Sequence, residues 1–448
     1  MTMLGAVFGD IVGSAYEWNN VKTKDFPLRT PNTRYTDDSV MTLAVAQWLM
    51  EDPEHTEEGL VRTMQRFGRR HYKAGYGGRF REWIHSQDPQ PYNSWGNGSA
   101  MRVSPVGLYA SSLEEALELA RISARVTHNH PEGIKGAMAV AECVFWNKNR
   151  NHGLWSLEST KTMLKSTIQE KYGYDLNRTL DEIRPGYKFD VSCQGSVPEA
   201  IIAFLESDNL EDCVRNAVSI GGDSDTIAAM ACSIFAANQE GWDEPLMLPF
   251  QKYLTGDLQT TMDCFEELVF PRKPIRNSYR VMDRVYAGEY PRELDEKKSI
   301  VKLKQFERFG ITHYIDLTEE GELRPYAQML GSDVRHIRFP IKDVSAPRSI
   351  ESVKELVARI NDILREGDSH KVYIHCWGGV GRTGVIVGCL LSEQCGFDYE
   401  KTMDALTLAY SDCPKSAYRE TPETQEQRRF IKKYVEVVCS PYPLTLNP

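Results

Sequence analysis

Cys376 and Arg382 lie six residues apart in His375-Cys376-Trp377-Gly378-Gly379-Val380-Gly381-Arg382-Thr383, close enough for a sulfur nucleophile and a guanidinium to meet at one anion. Gly378, Gly379 and Gly381 let the backbone curl until successive N–H groups point at a common centre, a nest for a phosphate dianion lined by Trp377 and Val380. Upstream, Lys371-Val-Tyr-Ile-His375 is a β-branched and aromatic run of strand type. Downstream, Val385-Ile-Val-Gly-Cys-Leu-Leu391 continues as an apolar segment of helix length. The loop therefore joins a strand to a helix, whose positive N-terminal end attracts phosphate and favours the thiolate form of Cys376. Arg382 can grip two phosphate oxygens in a bidentate fork, and Thr383 is placed to hydrogen-bond the sulfur as it leaves. A buried, inert cysteine in a strand-to-helix turn would need neither the three glycines nor the Arg-Thr pair.

His-Cys, five residues, then Arg-Thr resembles the signature loop of cysteine-dependent protein tyrosine and dual-specificity phosphatases. The resemblance implies a general acid on an upstream loop. Asp343 fits, in the proline-bounded stretch Pro340-Ile-Lys-Asp-Val-Ser-Ala-Pro347 that follows the strand-like Val334–Phe339. Asp333, at the start of that strand, is the competing carboxylate. Gln425 and Gln427 resemble a late segment in which relatives place a glutamine near the hydrolytic water. Because the loop interior holds no Lys or Arg, one phosphate on a tyrosine, serine, threonine or sugar is expected rather than a polyphosphoinositide.

The first half of the chain carries oxygen chemistry instead. Thr36-Asp37-Asp38 opens one helix-like segment, and Asp223-Ser-Asp225-Thr226 opens another far downstream. Each cluster alone fits a helix N-cap, where Thr and Asp satisfy exposed N–H groups. Taken together, four carboxylates from two helix starts suit a pair of hard divalent cations. Two further blocks accompany them, Leu4–Glu17, with small residues spaced for close backbone packing, and Ser94-Trp-Gly-Asn-Gly-Ser-Ala-Met-Arg-Val-Ser-Pro105.

These blocks, with Arg125-Val-Thr-His128-Asn-His130-Pro, span residues 1–270 and resemble the ADP-ribosylglycohydrolase family. The resemblance implies a binuclear magnesium or manganese centre held by Thr36, Asp37, Asp38, Asp223, Asp225 and Thr226. It makes Glu17 an acidic residue beside the metals and the scissile ribose. It also implies an ADP-ribose cradle of Gly96, Asn97, Gly98, Ser99 and Met101, with His128 beside the distal ribose. His128 and His130 read equally well as core or capping residues. One departure stands out: some relatives carry an Asp just before the Gly-Asn-Gly loop, and here Asn93-Ser94 occupies that place. The base must then be Glu17 or a metal-bound water.

The 448 residues exceed one small phosphatase domain, and 41% hydrophobic with 26% charged residues suffices for large cores. Val269-Phe-Pro-Arg-Lys-Pro-Ile-Arg-Asn277 reads as a boundary. The expected organisation is an all-α glycohydrolase-like domain over 1–272 and an α/β three-layer phosphatase-like domain over 273–448. In the second, strands near 279–282, 312–317, 334–339 and 371–375 alternate with helices at 297–309, 349–365 and 383–395. A net charge of −10 argues against a stable nucleic-acid complex. No apolar run reaches membrane-span length and Met1–Gly5 lacks a leader pattern, so a cytoplasmic, membrane-free protein without disulfides is expected. Three functions follow: two hydrolases acting on one phosphorylated ADP-ribose adduct, two acting separately, or an ADP-ribose-binding module that recruits the phosphatase. Partners would be ADP-ribosylated protein, nucleic acid or small-molecule adducts and phosphomonoesters.

Overall fold

A computed structural model describes residues 4–150, 156–238, 243–367 and 369–438. The chain divides into two units, Met1–Phe270 and Pro271–Pro448, a break two residues before the expected one.

The first unit is helical. At its centre Leu4–Gly13 is a helix buried on every side, packed against the helix Ser224–Phe235. Glycines permit that approach. A Cβ on Gly9 would stand 2.2 Å from Ala228 O, and one on Gly13 would stand 2.5 Å from Asp225 Cα. Backbone meeting backbone in this way brings Asp10, at the last turn of one helix, beside Asp225, at the first turn of the other. Gly9→Ala is expected to force the pair apart at a cost on the order of 3 kcal/mol, read as a lower thermal midpoint. In keeping with the all-α expectation, its longer helices include Pro131–Lys148 and Cys193–Leu205. Strand pairing among the described residues of this unit is one antiparallel bridge, Gly96 to Ser192.

The second unit is built on a five-stranded mixed sheet, β1 (Ser278–Met282), β2 (Val285–Gly288), β3 (His313–Asp316), β4 (Arg335–Arg338) and β5 (Val372–His375), in the order β1-β2-β5-β3-β4. β1 and β2 are antiparallel; β2, β5, β3 and β4 run parallel. The period-2 alternation sorts side chains between two layers. Val372, Ile374, Val285, Ala287 and Ile315 face a core shared with the helices Ile350–Glu366, Gly381–Cys395, Tyr399–Tyr410 and Gln425–Val438. Tyr373, Tyr286 and Tyr314 point the other way, onto Leu303, Phe306 and Phe309 of the helix Glu296–Phe309. This is the three-layer α/β architecture, with β2 as a strand that the short Val-Tyr-Ala-Gly run did not announce. No helix among the described residues is long and apolar enough to cross a membrane. The described cysteines are free thiols.

Candidate active sites

β5 ends at His375, and the next five residues turn into the helix Gly381–Cys395, so Cys376 sits at the carboxyl end of a central strand. Gly379 takes φ +75, and a Cβ there would lie 2.2 Å from the Gly288 backbone, so only glycine fits. Loop carbonyls are anchored from outside. Trp377 O accepts from Tyr290 N (3.0 Å), Gly378 O from Lys415 Nζ (3.0 Å) and Val380 O from Thr421 Oγ1 (2.8 Å). The amides of Trp377, Gly378, Gly379 and Val380 have no acceptor among the described residues. The loop therefore holds four N–H groups without an acceptor next to a cysteine that is 3% exposed, which leaves them available to an anion. Thr383 Oγ1 is likewise buried without a partner, while Trp377 stands 59% exposed at the rim.

Arg382 is 2% exposed and fully engaged at its two Nη atoms. Nη1 donates to Glu322 Oε2 (2.8 Å) and Ile341 O (3.0 Å); Nη2 donates to Glu322 Oε1 (2.7 Å) and lies 2.8 Å from Asp343 Oδ1. Burial pulls the guanidinium pKa down, but the Glu322 hydrogen bonds outweigh it, and the same bonds hold the Glu322 carboxyl below its ordinary value against its own burial. Asp343 is thus brought to the loop, half-exposed, whereas Asp333 is exposed and bonded to Ser332 in the turn before β4. The two glutamines part ways. Gln427 is buried against Gly381 and fixed to Ser345 O, Glu423 N and Thr424 N, while Gln425 is exposed.

Behind the nucleophile, His375 is buried, which depresses its pKa to about 4 against the pull of Asp316, so its ring is neutral. Its Nε2 meets Tyr326 Oη at 2.6 Å. Asp316 in turn is held by His336 Nε2 (3.0 Å) and Thr318 Oγ1 (2.6 Å). This buried network steadies the strand end from which the loop springs.

In the first unit, Asp10, Asp38 and Asp225 present oxygens within 4.8 Å of one another, and Glu17, Asp223 and Asp225 do the same. Asp225 belongs to both trios. Asp10 accepts from Thr36 Oγ1 (2.6 Å), Thr36 N (2.9 Å), Ser39 N (3.1 Å) and the Ser39 hydroxyl. Asp38 accepts from Thr226 Oγ1 (3.1 Å) and leaves Oδ1 buried without a partner. Burial first, and repulsion from neighbouring carboxylates second, push the Asp38 and Asp225 carboxyls far above their ordinary range, Asp37 to about 8 and Glu17 to about 7. A buried acidic cluster with an orphaned oxygen and, among the described residues, no ion-paired Lys or Arg fits hard divalent cations.

The N-cap alternative separates the two clusters. Thr36 does cap its helix, accepting from Asp38 N, whereas Asp223 stands at the N-cap position without a capping bond and accepts instead from Asn97 Nδ2 (2.6 Å). Asp37 belongs to neither trio; a Cβ on Gly75 would lie 3.2 Å from its Oδ1. Thr36 and Thr226 present their hydroxyls to carboxylates, orienting them.

The Gly96–Met101 stretch lies between the segment 191–193 and His128. Asn97 N donates to Val191 O (2.8 Å), and a Cβ on Gly98 would lie 3.2 Å from His128 Nε2. His128 is buried and kept neutral, first by burial and then by Arg102. Ser99 is fully buried with its hydroxyl donated to Gly133 O (2.7 Å), and Met101 is buried too, so both pack the loop. His130 caps the Pro131–Lys148 helix.

Several site residues were not singled out from sequence. Asp10 lay in plain view in Gly9-Asp10, seven residues before Glu17 in the same block. Arg102, buried and donating to Gly98 O, Ser123 O and Thr127 Oγ1, and Glu322 had no local signal at all.

Residues 1–239 match the ADP-ribosylglycohydrolase family, and residues 278–431 match the Swiss Army Knife protein, DSP-PTPase phosphatase domain. Protein 067L of Invertebrate iridescent virus 3, named as a tyrosine phosphatase, is 28% identical over 164 residues, which is 35% of this chain and 64% of that protein. ADP-ribosylhydrolase ARH3 of Mus musculus is 27% identical over 306 residues, 52% of this chain and 82% of that one. The human ARH3 is 26% identical over 302 residues, 52% and 83% of the two chains.

Proposed function

Because the chain belongs to the ADP-ribosylglycohydrolase family and carries a DSP-PTPase phosphatase domain after it, we propose that it is a bifunctional hydrolase that removes ADP-ribose from an adduct and phosphate from a monoester. The observation that carries the first activity is the pair of oxygen trios sharing Asp225. Asp10, Asp38 and Asp225 would hold one divalent ion, and Glu17, Asp223 and Asp225 a second, of magnesium or manganese. Bound there, the ions supply Lewis acidity and orient the ribose hydroxyls. Thr36, Ser39, Thr226 and Asn97 fix the carboxylates in place. Glu17, at the half-buried edge of the cluster, would offer one oxygen to the ion and keep its other oxygen to take the proton of the attacking water, and the buried carboxylates offset the cationic character that develops at the anomeric carbon. A pure binding module would have no need for so many buried carboxylates.

In the second domain, Cys376 attacks phosphorus, the four loop amides receive the phosphoryl oxygens, and Arg382 clamps them. A phosphate taking the Nη2 donor displaces Asp343, which leaves that carboxyl beside the departing ester oxygen as its proton donor. A cytoplasmic setting suits a thiol catalyst. The two chemistries separate by chelation: EDTA is expected to lower ADP-ribose release by roughly 10²-fold or more, with magnesium or manganese restoring it, and to leave p-nitrophenyl phosphate hydrolysis unchanged. Release that persists in the chelator would refute the metal-dependent reading.

A further inference from the structure

Beside the acidic cluster lies a cavity of about 720 Å³ whose lining is basic. Arg34, Arg70 and Lys73 supply three cations, and Tyr35, His71 and Asp257 complete its polar wall. Asp257 is already satisfied. It accepts from Thr255 Oγ1 (2.6 Å), Arg70 Nη1 (3.1 Å) and pairs with His71 Nε2 (3.0 Å), bonds that outweigh its burial and hold its carboxyl below the ordinary range. Arg34 and Lys73 are exposed and have no ion-pair partner among the described residues. The wall thus carries a surplus of positive charge with a guanidinium, an ammonium and a phenol, donors suited to phosphate oxygens.

The position of this cavity decides which part of a substrate it meets. On the function proposed above, on which this inference rests, and with ADP-ribose along the Gly96–Met101 loop as the family resemblance implies, the sugar meets the cluster from the side of Asp223, which Asn97 of that loop contacts. The cavity approaches from the side of Asp37, next to the cluster, since Ala74 of its lining adjoins Gly75, whose missing Cβ would stand 3.2 Å from Asp37 Oδ1, and Tyr35 of its lining lies two residues before Asp37. With ADP-ribose entering from the Asp223 side, the acceptor would face this positive charge, which disfavours a cationic arginine acceptor and favours an anionic one.

We propose that this cavity binds a phosphate carried by the acceptor, so that the preferred substrate is a peptide phosphorylated beside its ADP-ribosylated residue. A protein acceptor is favoured over nucleic acid by the net charge of −10. Hydrolysis adds water across C1″ and the acceptor atom, and the freed phosphopeptide is a phosphomonoester of the class that the second domain accepts.

The test uses the full-length chain carrying Cys376→Ser throughout, so that the phosphate survives. Paired peptides bear ADP-ribose on serine or on arginine, each with and without phosphoserine next to the modified residue. Release of ADP-ribose is expected to show kcat/KM about tenfold higher for the phosphorylated member of a pair, and Arg34→Gln with Lys73→Gln is expected to bring that ratio to about one. Thermal midpoints verify that the double variant folds. A ratio near one in the parent protein would overturn the inference while leaving the glycohydrolase reading intact. The inference fails in the same way if the double variant slows both members equally, because the cavity would then hold ADP-ribose itself, or if a third peptide with glutamate in place of the phosphoserine is hydrolysed as fast as the phosphorylated one. No release from any peptide would sink both readings.

Discussion

Replacing Cys376 with serine is expected to lower p-nitrophenyl phosphate hydrolysis by roughly 10³-fold or more, about 4 kcal/mol of lost transition-state stabilisation. The reason is chemical rather than structural. Serine fits the same buried position at the end of β5, so the loop with its four unpartnered amides and the Arg382–Glu322 pair stay in place. What is lost is a thiolate, which the nest stabilises far more readily than an alkoxide. The variant should still bind phosphate or vanadate, because amides and guanidinium do the binding. ADP-ribose release should be unaffected, since every residue of the acidic cluster lies in the first unit. Steady-state kinetics of both reactions on one preparation check the prediction.

Replacing Asp225 with alanine is expected to have the opposite effect, with ADP-ribose release reduced by roughly 10³-fold or more and phosphatase turnover unchanged. Asp225 is the carboxylate common to both oxygen trios, so one substitution dismantles both. Its signature in stability is specific. In metal-free protein, burial and repulsion from Asp223 and Asp38 hold the Asp225 carboxyl far above its ordinary range, so removing it relieves strain and should not lower the thermal midpoint. Wild-type protein should gain about 2.7 kcal/mol of stability with manganese at a hundred times its Kd, and the variant should gain nothing. Calorimetry with and without manganese measures both effects. A metal-free variant that melts far below wild type would show that Asp225 is there for folding instead.

The phosphatase loop was the most legible part of this chain because its chemistry is local. Strand, nest, nucleophile and clamp occupy consecutive residues, and backbone geometry alone carries them from Val372 through Cys395. The helix starts at Thr36 and Asp223 were equally readable, though sequence left open whether their carboxylates cap helices or gather. Only the packing of Leu4–Gly13 on Ser224–Phe235 shows that Asp10 joins them, beside the Glu17 that the family resemblance already implied there. Glu322 escaped notice because it meets Arg382 across 60 residues, from a turn with no motif of its own. Ser99 has the right residue type for a ligand contact, yet the tight fit of its loop on Gly133 turns the hydroxyl inward. Side-chain type was visible from sequence in each case; direction depended on partners far along the chain.

The central claim is that one chain holds two hydrolytic centres that fail independently. Its most direct test assays Asp225→Ala and Cys376→Ser side by side, measuring ADP-ribose release and p-nitrophenyl phosphate hydrolysis on the same sample of each. The account predicts a crossed pattern, each variant losing one activity and keeping the other within about twofold of wild type. Parallel loss of both activities in either variant would contradict it.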